Sequence, residues 1–130
     1  MRHLGIDYGE KRIGIALSDP EGRIAFPRKV IFNRSVKQAL ADIKKVLEDE
    51  KVSRVVIGLP VGLSGRETGE TQKVRAFGEA LKKEIVLPVE FENEMLTSRM
   101  AERAGIKKEH VDESAAALIL QSYLDKQNKN

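Results

Sequence analysis

"LGIDYGEKRIGIALSD" (Leu4 to Asp19) decides how the rest of the chain is read. Residues 3–8 carry a strand pattern with Leu4 and Ile6 on one face. Residues 12–18 carry a second, in which Ile13, Ile15 and Leu17 alternate with Gly14, Ala16 and Ser18. The small face of that second strand lets a helix pack close. Asp7 stands at the end of the first strand, where a buried carboxylate is expensive unless it is paired, hydrogen-bonded or bound to a metal. The partner has to come from elsewhere in the chain.

Outward from this hairpin, "DPEG" (Asp19 to Gly22) is a turn signal with proline second and glycine fourth. Residues 23–32 follow as a third strand, and Pro27 inside it argues for an edge position. Ser35 is placed to cap a helix whose apolar positions are Val36, Ala39, Leu40, Ile43, Val46 and Leu47. "VSRVVIGLP" (Val52 to Pro60) reads as a buried parallel strand. A glycine-rich loop, Val61 to Gly69, precedes a helix marked by Val74, Phe77 and Leu81. "IVLPVEF" (Ile85 to Phe91) reads as a fifth strand, Leu96 to Gly105 as a short helix, and roughly 111–125 as the last helix. The fold class expected is α/β: a five-stranded mixed sheet, a three-strand antiparallel meander plus two parallel strands, with helices on both faces.

The 130 residues suit one domain spanning 1–130, with about 126–130 expected as a frayed tail. Cysteine is absent, which removes disulfides and thiolate zinc sites from consideration. No apolar run approaches the length of a membrane span, and the N-terminus lacks the layout of a signal peptide, so the expected location is cytoplasmic, with no membrane partner. The 23 Lys and Arg residues barely exceed the 20 Asp and Glu residues, which is compatible with nucleic-acid binding without demanding it.

Ligand sites in such sheets lie beyond the carboxyl ends of the strands. Asp7 is at that end of the first strand, and Glu92 and Glu94 follow the fifth. Asp112 opens the last helix in "HVDESAAALILQSY" (His110 to Tyr123), on one helical face with Ala116, Ile119 and Tyr123. Ala115, Ala116 and Ala117 keep that helix thin enough to bring Asp112 towards Asp7. An aspartate in a first turn is, taken alone, ordinarily a cap. A glutamate taken alone is ordinarily solvated. Carboxylates brought together repel, and a hard divalent cation, Mg²⁺ or Mn²⁺, removes the difficulty. Two such ions, about 3.5–4 Å apart, activate a water and stabilise the leaving oxygen in phosphodiester cleavage, with Asp7 as the bridging ligand. Lys11, Arg12, Lys73, Arg75, Lys107 and Lys108 are the candidate phosphate contacts.

"GIDYGEKRIGIALSD", "VVIGLPVGLSG", "QKVRAFGEALKK", "NEMLTSRMAE" and "VDESAAALILQSYLD" occur in that order, and the chain resembles the YqgF/RuvX family over nearly its whole length. These are Holliday-junction resolvases, also described as nucleases that mature the 5′ end of pre-16S ribosomal RNA. The resemblance implies a ribonuclease H-like fold and metal-dependent phosphodiester hydrolysis with one or two Mg²⁺ or Mn²⁺ ions. It implies Asp7, Glu94 and Asp112 as the catalytic and metal-binding residues, and leaves a fourth ligand open among Glu92, Glu113, Glu10 or none. Asn93 stands where the family usually has Asp, Met95 where it has Arg, and Glu10 where Thr or Ser is common. The substrate expected is precursor rRNA or branched DNA, taken by a monomer or homodimer. The other readings are a non-cleaving RNA or ribosome-assembly binding module on the same fold, and a phosphate-binding hairpin like that of actin-like and sugar-kinase ATPases. The latter need two such domains, and this length provides one.

Overall fold

The hairpin at the amino end builds the middle of the molecule. The structure is a computed structural model that describes residues 1–61, 65–93 and 111–128; for Val111 and Asp112 it describes the backbone alone. In chain order the elements are β1 (Arg2–Tyr8), β2 (Arg12–Ser18), β3 (Ala25–Phe32), α1 (Val36–Asp49), β4 (Val52–Leu59), α2 (Gly69–Glu84), β5 (Val89–Asn93) and α3 (Val111–Gln127). The strands form one five-stranded sheet in the order β3-β2-β1-β4-β5. β1, β2 and β3 pair antiparallel, and β4 and β5 run parallel to β1, so β1 is central.

Alternation along the strands divides the core in two. Leu4, Ile6, Ile13, Ile15 and Leu17 face the side covered by α1 and α2, where they meet Ile43, Leu47, Val74, Phe77 and Leu81. Ala16 and Val56 face the other side, under Ala116, Ile119, Leu120, Tyr123 and Leu124 of α3. Burying a side chain such as Leu120 contributes about 1.5–3 kcal/mol. The thin face read in β2 and the alanine run read in the last helix therefore serve each other. Gly5 completes the fit: a Cβ there would lie 2.8 Å from Leu120 Cβ and 3.0 Å from the Ala116 carbonyl oxygen.

The turn at Gly22 and the cap at Ser35 form as the sequence placed them, and α2 gains a cap of its own. Gly22 N–H donates to the Asp19 carbonyl at 3.0 Å, closing the turn, with Gly22 at φ +70. Ser35 caps α1 by accepting from Gln38 N–H at 3.1 Å, and Thr68 and Thr71 form a capping box on α2. Among the described residues, no helix is long and apolar enough to cross a membrane.

The expected fifth strand is displaced. α2 continues to Glu84 and ends with Ile85 N–H on the Leu81 carbonyl at 3.2 Å. Pairing to β4 begins only where Val55 N–H meets the Pro88 carbonyl at 2.9 Å. Ile85 and Leu87 are apolar because they pack against the α1–α2 side of the core while connecting two elements. β3 likewise starts at Ala25 rather than residue 23. α3 runs on through Gln127, and the Asn128 side chain donates to the carbonyls of Gly22 and Leu124, both at 2.9 Å. The short helix expected over Leu96 to Gly105 lies outside the described residues.

Candidate nuclease site

Strand register sets the cross-strand neighbours of Asp7. Asp7 pairs with Gly14 of β2, which pairs with Val30 of β3. On the other side, one step past the Ile6–Ile57 pair, Asp7 comes abreast of Gly58, which pairs with Glu92 of β5. Gly5, two residues before Asp7, faces α3, so Asp7 projects to the α3 side. The half-buried Asp7 therefore stands in register between two glycines, Gly14 and Gly58, which add no side chain in its own row.

α3 runs antiparallel to β1. Gly5 lies beneath Ala116 and Leu120, while the His3 ring lies 6.1 Å from that of Tyr123, so a later part of the helix covers an earlier part of the strand. Two residues of strand advance about 6.8 Å and four of helix about 6 Å. Position 112 therefore sits over the Asp7 end of β1, in the first turn of α3. The helix N-terminus, with its partial positive charge, points to the same end.

The hairpin next to Asp7 is held from both sides. A Cβ on Gly9 would lie 2.5 Å from the Arg12 carbonyl oxygen, which explains the glycine. Asn33 clamps the tip, its side chain donating to the Gly9 carbonyl at 2.8 Å and its N–H to the Lys11 carbonyl at 2.9 Å. Tyr8 stacks on Phe77 of α2 with ring centroids 4.2 Å apart, and Lys73 of α2 is ion-paired to Glu10.

The predicted site residues separate accordingly. Asp7 and the backbone of Asp112 converge; Glu94, Lys107, Lys108 and Met95 lie outside the described residues, as does the side chain of Asp112. Lys11 and Arg12 are exposed on the hairpin. Lys73 and Arg75 already have carboxylate partners. The bond to Glu10 raises the Lys73 pKa and lowers that of Glu10, and Arg75 holds Glu67 through two hydrogen bonds at 2.8 and 3.1 Å, lowering the Glu67 pKa. Both pairs are exposed, so solvent screens them.

Glu92 differs from its sequence reading. It lies within β5 rather than after it, and is only 6% exposed. Its Oε2 accepts from Ser122 Oγ at 2.9 Å and from Lys126 Nζ at 2.7 Å. Nearby, Arg54 donates to Glu90 at 2.5 Å and to the Tyr123 hydroxyl at 2.8 Å, and Tyr123 donates to Glu90. The Tyr123 bond, then that of Arg54, lowers the Glu90 pKa. Sequence reading missed this group. The alternation Glu90, Glu92 in β5 and the spacing Ser122, Lys126 in α3 were the available signals.

A central β1 with Asp7 next to its carboxyl end, belonging to a three-strand antiparallel meander that two parallel strands extend, and a helix α3 that begins over that end make a ribonuclease H-like arrangement. Solved structures agree on the fold. The Thermus thermophilus RuvC structure superimposes with a TM-score of 0.62 at 17% identity, covering 98% of this chain and 96% of that one. The Fowlpox virus resolvase, solved with substrate Holliday junction DNA, gives 0.59 at 14% identity, over 99% of this chain and 100% of that one. The chain belongs to the RuvX Holliday junction resolvase family, whose model matches residues 1–126. A "Putative pre-16S rRNA nuclease" of Maridesulfovibrio salexigens is 38% identical over 132 residues, 95% of this chain and 98% of that protein. The sequence resemblance and the expected ribonuclease H-like sheet both hold.

Proposed function

We propose that the chain is a metal-dependent nuclease that hydrolyses phosphodiester bonds in structured nucleic acid, with Asp7, Glu94 and Asp112 as its carboxylates. The observation that carries this reading is the placement of Asp7 between Gly14 and Gly58, beneath the first turn of α3. Asp7 offers a hard oxygen donor where the flanking strands leave room, a setting suited to Mg²⁺ or Mn²⁺. Asp112 would supply a second donor from above and Glu94 a third. A bound divalent ion would lower the pKa of an attacking water and neutralise charge on the leaving oxygen.

The chain's own residues orient the substrate. Lys11 and Arg12 stand on the hairpin beside Asp7, where they meet the phosphate backbone. The α3 N-terminus adds partial positive charge on the same side. Asn33, Tyr8 and Phe77 keep the hairpin, and with it Asp7, in fixed position. Membership of the resolvase family and the named rRNA-nuclease relative support precursor rRNA or a four-way junction as substrate. Junction resolution asks for a homodimer, because two strands are nicked about a two-fold axis; trimming an RNA end does not require one.

The test is a Mg²⁺ and Mn²⁺ cleavage panel on junction DNA and precursor RNA with wild type, Asp7→Asn and Asp112→Asn. Wild type cleaves one of the two, and both variants bind that substrate but lose cleavage at least a hundredfold. Unchanged cleavage by Asp7→Asn refutes the mechanism. Salt-sensitive binding by wild type without turnover at any metal concentration supports the binding-module reading instead.

A further inference from the structure

Phe32 is the last residue of β3 and is 63% exposed. Strand pairing fixes the side to which it projects. Ile13 and Ile31 are partners, and both are buried on the α1–α2 side. Their neighbours Arg12 and Phe32, also partners, therefore project to the opposite side, the one carrying α3 and Asp7. Asp7, Gly14 and Val30 form one row across three strands, and Arg12 and Phe32 lie in the next row towards the hairpin tip. With strands about 4.8 Å apart and alternate residues about 6.8 Å apart, the Phe32 backbone lies about 12 Å from that of Asp7. Gly14 adds no side chain between them.

The surroundings of this ring are cationic. Arg12 is its cross-strand partner, Arg34 follows two residues on, and Lys11 is tied through its carbonyl to Asn33; all three are exposed. An exposed aromatic ring flanked by cations is the combination that binds unpaired nucleotides, with the base on the ring and the phosphate on the cations. A base in a duplex is already stacked and cannot use it. A second copy of this chain is a poorer occupant, because Pro27, a register shift and the exposed Arg28 and Lys29 blunt the β3 edge against strand pairing.

We propose that Phe32, with Arg12 beside it, is a stacking subsite for an unpaired nucleotide about one or two positions from the scissile phosphate, a spacing set by the ladder dimensions. This rests on the nuclease reading for the position of that phosphate. It makes the preferred substrate one with an unpaired flank next to the cut.

The experiment uses the full chain carrying Asp7→Asn, so that substrate binds without turnover. The probes are RNA and DNA duplexes with a single-stranded 5′ flank containing 2-aminopurine at successive positions, and the same duplexes without a flank. One flank position is quenched on binding. Phe32→Leu abolishes that quench and weakens flank binding about tenfold, Phe32→Tyr restores both, and duplex affinity stays unchanged. The same quench and affinity in Phe32→Leu overturn the proposal. So does an equal loss on flanked and blunt duplexes, or a change in sedimentation of the free protein with no change in binding. Thermal unfolding of Phe32→Leu, expected to match the parent because the ring is exposed, confirms that folding is not the cause. Failure of the nuclease reading would show separately, as wild type that never cleaves while the quench persists.

Discussion

Glu92 and Lys126 meet across the interface of β5 and α3 at 2.7 Å, with the carboxylate 7% exposed and the ammonium 65% exposed. The glutamate that sequence order places near the proposed catalytic carboxylates is thus engaged with the far half of the helix. Ser122 donates to the same oxygen. Removing one partner of a fully buried pair costs about 3–5 kcal/mol. Here the lysine is largely solvated, so Lys126→Met is expected to cost about 1–2 kcal/mol. Urea unfolding measures it. Glu92→Gln, which keeps an acceptor for Ser122 and removes the buried charge, costs less and retains metal-dependent cleavage. Loss of cleavage in Glu92→Gln would make Glu92 a ligand rather than a clamp.

Gly5→Ala places a methyl group 2.8 Å from Leu120 Cβ, in a packed interface with no room to yield. Overpacking of this kind costs about 1–3 kcal/mol. It also lifts α3 from β1 and moves position 112 away from Asp7, so cleavage falls by more than folding stability explains. Gly69→Ala, with nothing within 4 Å of the new Cβ, is the neutral control. Equal behaviour of the two variants would show that the close approach of α3 is not required.

Two groups at the opposite end of β1 give the fold a pH dependence. Burial, then the Arg54 charge, lowers the His3 pKa from 6.5, and its buried Nδ1 has no hydrogen-bond partner among the described residues. The unfolded chain therefore takes up that proton first, and stability falls as pH drops from about 6.5 towards the lowered folded value. Glu90 has its folded pKa depressed by Tyr123 and Arg54; its contribution is complete above the ordinary carboxylate value and disappears as pH falls through the folded one. Urea midpoints measured against pH should lose the upper slope in His3→Phe and the lower slope in Glu90→Gln. Identical profiles in the variants and the parent would contradict both assignments.

Glu10 holds Lys73 at the hairpin tip. Glu10→Gln is expected to release the ammonium for phosphate contact, raising nucleic-acid affinity and steepening the log–log salt dependence by about one. Lys73→Ala in the same background should cancel the gain. A salt slope unaffected by either change would leave Lys73 outside the interface.

The strands and long helices were legible because each rests on a local cause: alternation in β1 and β2, a cap at Ser35, apolar spacing in α1 and α2. The β5 boundary was not, because Ile85 and Leu87 are apolar for packing and carry no ladder, and sequence does not separate those two uses. The position of Asp7 was legible from the cost of a carboxylate at a strand end. Glu92 was misplaced because its partners lie 30 and 34 residues away on α3, a separation no local pattern reports. Phe32 passed unnoticed because an exposed aromatic acquires meaning only once register shows which face it shares with Asp7.

The most direct measurement is anomalous diffraction from crystals of the full chain soaked in manganese. The expected result is a peak in coordination contact with the carboxylates of Asp7, Glu94 and Asp112, lost in Asp7→Asn. Crystals in which those three side chains stand apart, or in which no peak lies between them, would contradict the proposed catalytic centre.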